Sequence, residues 1–304
     1  MTISMLPDET DVHAAAERIR PYIRRTPVFR VDVDGRPLVF KLEHLQRTGS
    51  FKLRGALNAL LAGTMPDRVV TASGGNHGVA VATAAALLGL PSTVYVPESV
   101  PEGKARRIEA AAGAKLVRHG RTYAEAAGAA RAAAGQSGAL YLPAYEDAAV
   151  VAGQGTVTAE VTADVPAVDT LVVAVGGGGL AAGTVLGAGG RTVVAAEPEG
   201  CRCFHEALVA GAPVDSPVDS VTASALGATR IGALPFEILR ASGARSVLVS
   251  DAELVAARDR LWEEFRLAVE PAAAVPFAAW LTGNIPGELA CVVLCGANTD
   301  WFPG

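Results

Sequence analysis

Thr170-Leu171-Val172-Val173-Ala174-Val175-Gly176-Gly177-Gly178-Gly179-Leu180 is the stretch whose reading decides the fold. A short apolar run rich in β-branched residues stops at four consecutive glycines, and an apolar segment of helical character then runs to Leu186. A strand that ends in glycines and opens a helix is the repeating unit of a parallel sheet, and the amides at such a helix start favour an anion. The same order occurs upstream. A strand at Arg68 to Ala72 meets Ser73-Gly74-Gly75-Asn76-His77-Gly78 and leads into an alanine-rich helix ending near Gly89.

Alternation continues outward from both units. Strand Ser92 to Val96, helix Glu102 to Ala112, strand Lys115 to Arg118, helix Thr122 to Ala134 and strand Ala139 to Leu142 follow the first. A helix from Glu146 to Thr162 precedes the second, and strand Thr192 to Glu197 follows it. Further helices are expected near Pro235 to Ala241, Ala252 to Phe265 and Ala272 to Leu281, with strands at Ser246 to Val249 and Leu289 to Leu294. At the start, Val12, Ala15, Ala16, Ile19 and Ile23 predict a helix over Thr10 to Tyr22, and strands are expected at Val28 to Val31 and Leu38 to Leu42. Strands alternating with helices of this length predict an α/β protein with mainly parallel twisted sheets covered on both faces. Two open α/β domains are expected, a small one over 68–143 and a larger one built from 1–67 plus 144–304.

The bulk composition narrows the function classes. The 304 residues are 50% apolar and 19% charged, which predicts a globular chain with ample cores. A net charge of -5 with scattered lysines and arginines argues against a nucleic-acid partner. Cys201, Cys203, Cys291 and Cys295 are too few and too clustered for a secreted disulfide framework, and the acidic N-terminus is no signal peptide, so a cytoplasmic location is expected. Leu171 to Gly190 lacks any charge over twenty residues, but eight of them are glycine, and such a run breaks the helix that a bilayer demands. No membrane span is expected.

Three stretches carry chemistry. In Thr48-Gly49-Ser50-Phe51-Lys52-Leu53-Arg54-Gly55-Ala56, Ser50 suits an N-cap, which would put Lys52 in the first turn of a helix whose apolar face is Leu53, Leu57, Leu60 and Leu61. The glycine run suits a phosphate. It also fits a dinucleotide fingerprint through Gly177, Gly179 and Ala182, with Glu197 placed as a ribose-binding acid, so a nicotinamide dehydrogenase is a rival. The loop Ser73 to Gly78 offers a hydroxyl, a carboxamide, an imidazole and backbone amides, a donor set that suits a small carboxylate. His77 has no second ligand at metal spacing.

Taken in order, these stretches resemble the fold-type II pyridoxal-phosphate enzymes, whose architecture is that of the tryptophan synthase β chain, and most closely the serine/threonine dehydratases. The resemblance also runs through Arg25-Thr26-Pro27, Ala152-Gly153-Gln154-Gly155-Thr156, Glu197-Pro198, Ala225-Leu226-Gly227, Glu270-Pro271-Ala272 and Cys295-Gly296-Ala297-Asn298. It implies pyridoxal 5'-phosphate in a cleft between the two domains, with Lys52 as the Schiff-base residue. Phe51 and Gly227 would flank the ring, Asn76 would reach its hydroxyl, Gly176, Gly177, Gly178 and Gly179 would hold the phosphate, and Cys295 would face the ring nitrogen. Ser73, Gly74, Asn76 and His77 would take the substrate carboxylate. The role of Glu270 near the cofactor is left open.

The resemblance implies a dehydratase, or ammonia-lyase, acting on L-threonine or L-serine, with a small amino acid as substrate and a homodimer or other homo-oligomer as assembly. The alternatives are a hydroxyaspartate dehydratase, a racemase, a β-replacement enzyme, and a cofactor-binding protein without turnover. Gly74 stands where the racemases of the family carry a serine, which lowers racemisation. Glu197, the carbonyl of Cys201, and Cys203 align with a cation site, but a thiol is a poor ligand for Mg²⁺ or Ca²⁺, leaving a monovalent cation or none. With the chain ending at Gly304, no further regulatory domain is expected.

Overall fold

The computed structural model describes residues 6–301. Its first third holds α1 (Glu9–Ile19), β1 (Val28–Val33), β2 (Arg36–Lys41), α2 (Lys52–Leu61), β3 (Val69–Ala72), α3 (Asn76–Leu87) and β4 (Ser92–Val96). The middle holds α4 (Glu102–Glu109), β5 (Ala114–Arg118), α5 (Tyr123–Ser137), β6 (Leu140–Tyr141), α6 (Ala148–Asp164), β7 (Thr170–Ala174), α7 (Gly179–Gly187) and β8 (Thr192–Pro198). The last third holds α8 (Cys203–Ala210), α9 (Ala223–Leu226), α10 (Ala233–Ser242), β9 (Arg245–Val249), α11 (Asp251–Phe265), α12 (Pro271–Leu281) and β10 (Ala290–Val293).

Two sheets result. One has six strands in the order β1-β2-β10-β7-β8-β9, the other four in the order β5-β4-β3-β6. All pairs are parallel except the β1–β2 hairpin, which Asp34 and Gly35 turn with φ of 56° and 74°, the left-handed pair that a two-residue hairpin requires. β7 and β10 are buried at every residue, as continuous apolar strands in a doubly covered sheet must be. The expected α/β class with mainly parallel sheets holds. The uncharged stretch from Leu171 is β7, the glycine turn and α7, and no described helix is long and apolar enough to cross a membrane.

Small residues set the position of α7. A Cβ on Gly155 of α6 would lie 2.7 Å from the carbonyl oxygen of Gly183 of α7, so the two backbones touch and the glycine turn before α7 is held against a buried helix. A second anchor lies beneath α2. Arg54, fully buried, donates through Nε and Nη2 to Glu43 at 2.9 and 2.8 Å, and through Nη1 and Nη2 to Glu160 at 2.8 and 2.9 Å. Lys41 Nζ donates to Glu160 at 2.6 Å and to the Thr26 carbonyl at 2.7 Å. Two cations thus meet two carboxylates, tying α2 to β2 and α6 two residues from Lys52.

One local expectation needs correction. Ser50 does not cap α2: it is extended and bridges Gly296, Phe51 takes the cap position, and the buried Ser50 hydroxyl has no partner. Tertiary pairing outweighs the local capping preference here, because Phe51 N–H donates to the Cys295 carbonyl and Ala297 N–H to the Gly49 carbonyl. The helix α8 was not anticipated from the sequence. Its first amides are received by Glu197 at the end of β8, so its cap stands six residues upstream of its first residue.

Candidate functional site

A cavity of about 400 Å³ lies at the carboxyl ends of the strands. Residues 73–77 reach it after β3, 97–101 after β4, Ala144 and Tyr145 after β6, the glycine turn after β7 and Cys295 after β10. Ligands of open α/β sheets bind in this position because the loops there are free to vary while the strands stay fixed. Phe51, Lys52, Gly227 and Glu270 line the same cavity. Every residue expected to hold cofactor or substrate is therefore on its wall.

Lys52 is held by the first turn of α2, its Nζ donating to the Ala144 carbonyl at 3.1 Å and lying 5.1 Å from the centre of the Phe51 ring. Burial lowers its pKa from 10.5 to about 8, against the opposing pull of Cys295 and Glu270. A neutral amine is thus accessible near neutral pH. In cofactor-free protein, acylation of Lys52 should rise with a midpoint near pH 8, well below that of an exposed lysine, as read by quantitative peptide mass spectrometry. A midpoint above 10 would contradict a desolvated amine.

The glycine turn presents an unfilled donor set. No protein acceptor among the described residues takes the amides of Gly176, Gly177 or Gly178, and the dipole of α7 adds to them. The turn has no room for side chains: a Cβ on Gly177 would lie 2.2 Å from two carbons of the Tyr145 ring, and one on Gly178 would lie 2.7 Å from Pro235 Cβ. Gly178 also has φ of 93°. Gly178→Ala should lose about 1–3 kcal/mol of stability, seen as a lower melting temperature, and should weaken binding of inorganic phosphate. Phosphate binding equal to that of the parent would rule out the turn as the anion cradle.

The donor loop differs in part from expectation. His77 is buried, and its Nε2 lies 3.1 Å from the Leu142 carbonyl, which requires the Nε2–H tautomer. Burial and then the charge of Lys52 lower its pKa to about 3, so the ring is neutral and its one N–H is already engaged. His77 can contribute its backbone amide but not its imidazole. Ser73 accepts from Gly75 N–H at 3.2 Å and keeps its own hydroxyl proton free. Asn76 donates to Glu270 Oε1 and accepts from Asn298 Nδ2, both at 2.8 Å.

Glu270, 5% exposed, has its pKa raised by burial to about 7, with the Asn76 hydrogen bond opposing. Burial likewise holds the Cys295 thiol well above its usual range, next to Glu270, so it stays protonated. Gly74 faces Val100: a Cβ built at Gly74 would lie 2.8 Å from Val100 Cγ2. Neither Val100 nor Tyr145 carries a local motif, and only the tertiary structure brings them to the wall.

Glu197 and Cys203, expected at a cation site with the Cys201 carbonyl, both engage the protein's own backbone. Both oxygens of Glu197 receive the amides of Phe204 and His205 at 2.8 and 2.9 Å, and Cys203 Sγ donates to the Gly176 carbonyl at 3.2 Å. Among the described residues, no three His, Cys, Asp or Glu side chains are close enough together to hold a metal ion. The same geometry removes the dinucleotide alternative, since a fully buried Glu197 bonded to α8 cannot reach a ribose.

Comparison with known proteins adds a further line. The family described as "Pyridoxal-phosphate dependent enzyme" matches residues 19–296. The L-threonine ammonia-lyase of Geobacter sulfurreducens is 38% identical, over 97% of this chain and 76% of that protein. The L-threo-3-hydroxyaspartate ammonia-lyase of Saccharomyces cerevisiae is 33% identical, over 97% of this chain and 94% of that one. Among solved structures, maize serine racemase superposes with a TM-score of 0.92 at 29% identity, covering 97% of this chain and 95% of its own.

Proposed function

This chain belongs to the pyridoxal-phosphate-dependent enzymes, in their serine/threonine dehydratase and racemase group, and from that membership we propose that it is a dehydratase converting L-threonine or L-serine to a 2-oxo acid and ammonia. The observation that carries the proposal is the pairing, in one cavity, of a desolvated lysine amine with a glycine turn whose amides are unengaged. Those two features fit the two ends of pyridoxal phosphate, an aldehyde and a phosphate.

When bound, the cofactor supplies an electron sink that acidifies the α-proton of an amino acid. The protein's own groups do the rest. Gly176 to Gly179 would hold the phosphate, Phe51 and Gly227 would flank the ring, Asn76 would donate toward it, and Lys52 would meet the aldehyde. Cys295, a thiol that burial keeps protonated, would face the ring nitrogen as a weak donor, a setting that suits loss of a β-substituent. The Ser73 hydroxyl and the backbone amides at the start of α3 receive the substrate carboxylate. Lys52, whose desolvated amine sheds its proton more readily than an exposed lysine does, takes the α-proton. Loss of that proton and of the β-hydroxyl releases water, and hydrolysis of the freed enamine yields the 2-oxo acid and ammonia.

Racemisation needs a second acid/base on the opposite face of the α-carbon. Gly74 offers no side chain, and Val100 leaves little room for one. Incubation with L-serine, L-threonine and L-threo-3-hydroxyaspartate, followed for 2-oxo acid and for D-amino acid by chiral chromatography, tests the assignment. Oxo acid from threonine or serine is expected. A D-amino acid formed faster than oxo acid would make the chain a racemase, and oxo acid from hydroxyaspartate alone would change the substrate.

A further inference from the structure

We infer that Glu270 and Asn298 are positioning residues that fix the Asn76 carboxamide in one orientation, so that it turns an N–H toward a group bound in the cavity. This rests on the cavity being the cofactor site. The polarity of the chain of amides is set from outside the cavity. The Thr48 carbonyl can only accept, and Asn298 Nδ2 donates to it at 2.8 Å. The same nitrogen donates to Asn76 Oδ1, also at 2.8 Å, so the Asn76 oxygen must face Asn298 and its nitrogen must face Glu270. Turning Asn76 over would set nitrogen against nitrogen at Asn298 and oxygen against a carboxyl at Glu270. Each mismatch loses a hydrogen bond and leaves a buried polar group unmatched. Glu270 takes one hydrogen of Asn76 Nδ2 and leaves the other.

Glycines admit this arrangement. A Cβ on Gly296 would collide with Glu270 Oε1, and one on Gly49 would lie 2.7 Å from Asn298 Oδ1. Glu270 is further fixed by its own amide, which donates to the Gly296 carbonyl at 3.1 Å. The groups facing its carboxyl are Asn76 of α3, Lys104 and Arg107 of α4, Cys295 and Asn298 after β10, and Lys52 of α2. Burial raises Glu270 to about 7, so its acceptor strength changes across neutral pH. As pH falls through 7 the carboxyl gains a proton of its own, and its hold on Asn76 weakens.

The test is the dissociation constant of pyridoxal phosphate from the full chain, followed by absorbance at pH 8 and pH 6, with the melting temperature of each cofactor-free variant as a check on folding. Glu270→Ala and Asn298→Ala should each weaken binding about tenfold at pH 8, the loss of roughly one charge-assisted or buried hydrogen bond. Glu270→Gln keeps an acceptor, so it should stay within about threefold of the parent at pH 8 and should lose the parent's extra weakening at pH 6. Binding within twofold of the parent in both alanine variants would overturn the inference, as would a glutamine variant as weak as the alanine one. Should Glu270→Ala fail to fold, Glu270→Gln and Asn298→Ala decide the matter. A parent chain that binds no cofactor would instead overturn the proposed function, and the inference with it.

Discussion

Lys52→Ala is expected to abolish both the visible absorbance of the lysine-linked cofactor and 2-oxo acid formation, with turnover falling by at least about 10⁴-fold, the upper range for loss of a positioned proton-transfer group. The magnitude follows from the cavity. Lys52 is the amine seated on the rigid first turn of α2, with its nitrogen desolvated and hydrogen-bonded to Ala144. Lys104 also lines the cavity, but from α4 and on the side of Glu270. Lys52→Arg separates charge from reactivity, because a guanidinium stays protonated and can neither take a proton nor attack an aldehyde. It should be as inactive as the alanine variant while still binding free phosphate. Turnover above about 1% of the parent in Lys52→Ala would remove Lys52 from the chemistry.

Arg54→Ala is expected to be the most destabilising single change outside the cavity. Removing the guanidinium leaves Glu43 and Glu160 buried with Lys41 as the remaining cation of the network, and breaking a buried ion pair in this way costs about 3–5 kcal/mol. At roughly 2–4 °C per kcal/mol for chains somewhat smaller than this, the melting temperature should fall by about 6–20 °C. Arg54→Lys restores the charge but not the fork that meets both carboxylates, so it should recover part of the loss. Because Arg54 and Lys52 share a turn of α2, the cofactor should also dissociate faster from both variants. A shift below about 2 °C in Arg54→Ala would mean that the network is not what holds this helix.

Where local spacing determined local structure, the sequence was legible. The strand–glycine–helix units at Thr170 and Arg68 carried the sheet class, since continuous apolar strands and turns of glycine leave few alternatives. Lys52, Ser73, Asn76, Gly176 to Gly179 and Cys295 all reach one cavity, because each follows a strand or opens a helix, while Gly227 reaches it from the end of α9. What stayed hidden depended on partners distant in the chain. Ser50 has the residue type of a cap, yet its segment pairs with residues near 296, some 250 positions away. His77 has the residue type of a carboxylate donor, yet the Leu142 carbonyl takes its proton. Glu197 fits a ribose by spacing and a cation by resemblance, and only the fold shows its carboxylate accepting the first amides of α8. No local pattern marks Glu270, because its partner Asn76 lies 194 positions away in the chain.

The six-stranded order places β10, made of residues Ala290–Val293, between β2 and β7 in the middle of its sheet. During synthesis on the ribosome, the strands of the four-stranded sheet emerge as one uninterrupted stretch, so that sheet can form early, whereas β2 and β7 must wait with open edges for a strand made nearly 120 residues after β7. Cys295, Glu270 and the segment that pairs with Gly49 arrive on or beside that late strand. A nascent chain therefore holds Lys52 and the glycine turn before it holds the wall that encloses them. Truncation before β10 should leave a protease-resistant fragment over the four-stranded sheet and an aggregation-prone remainder.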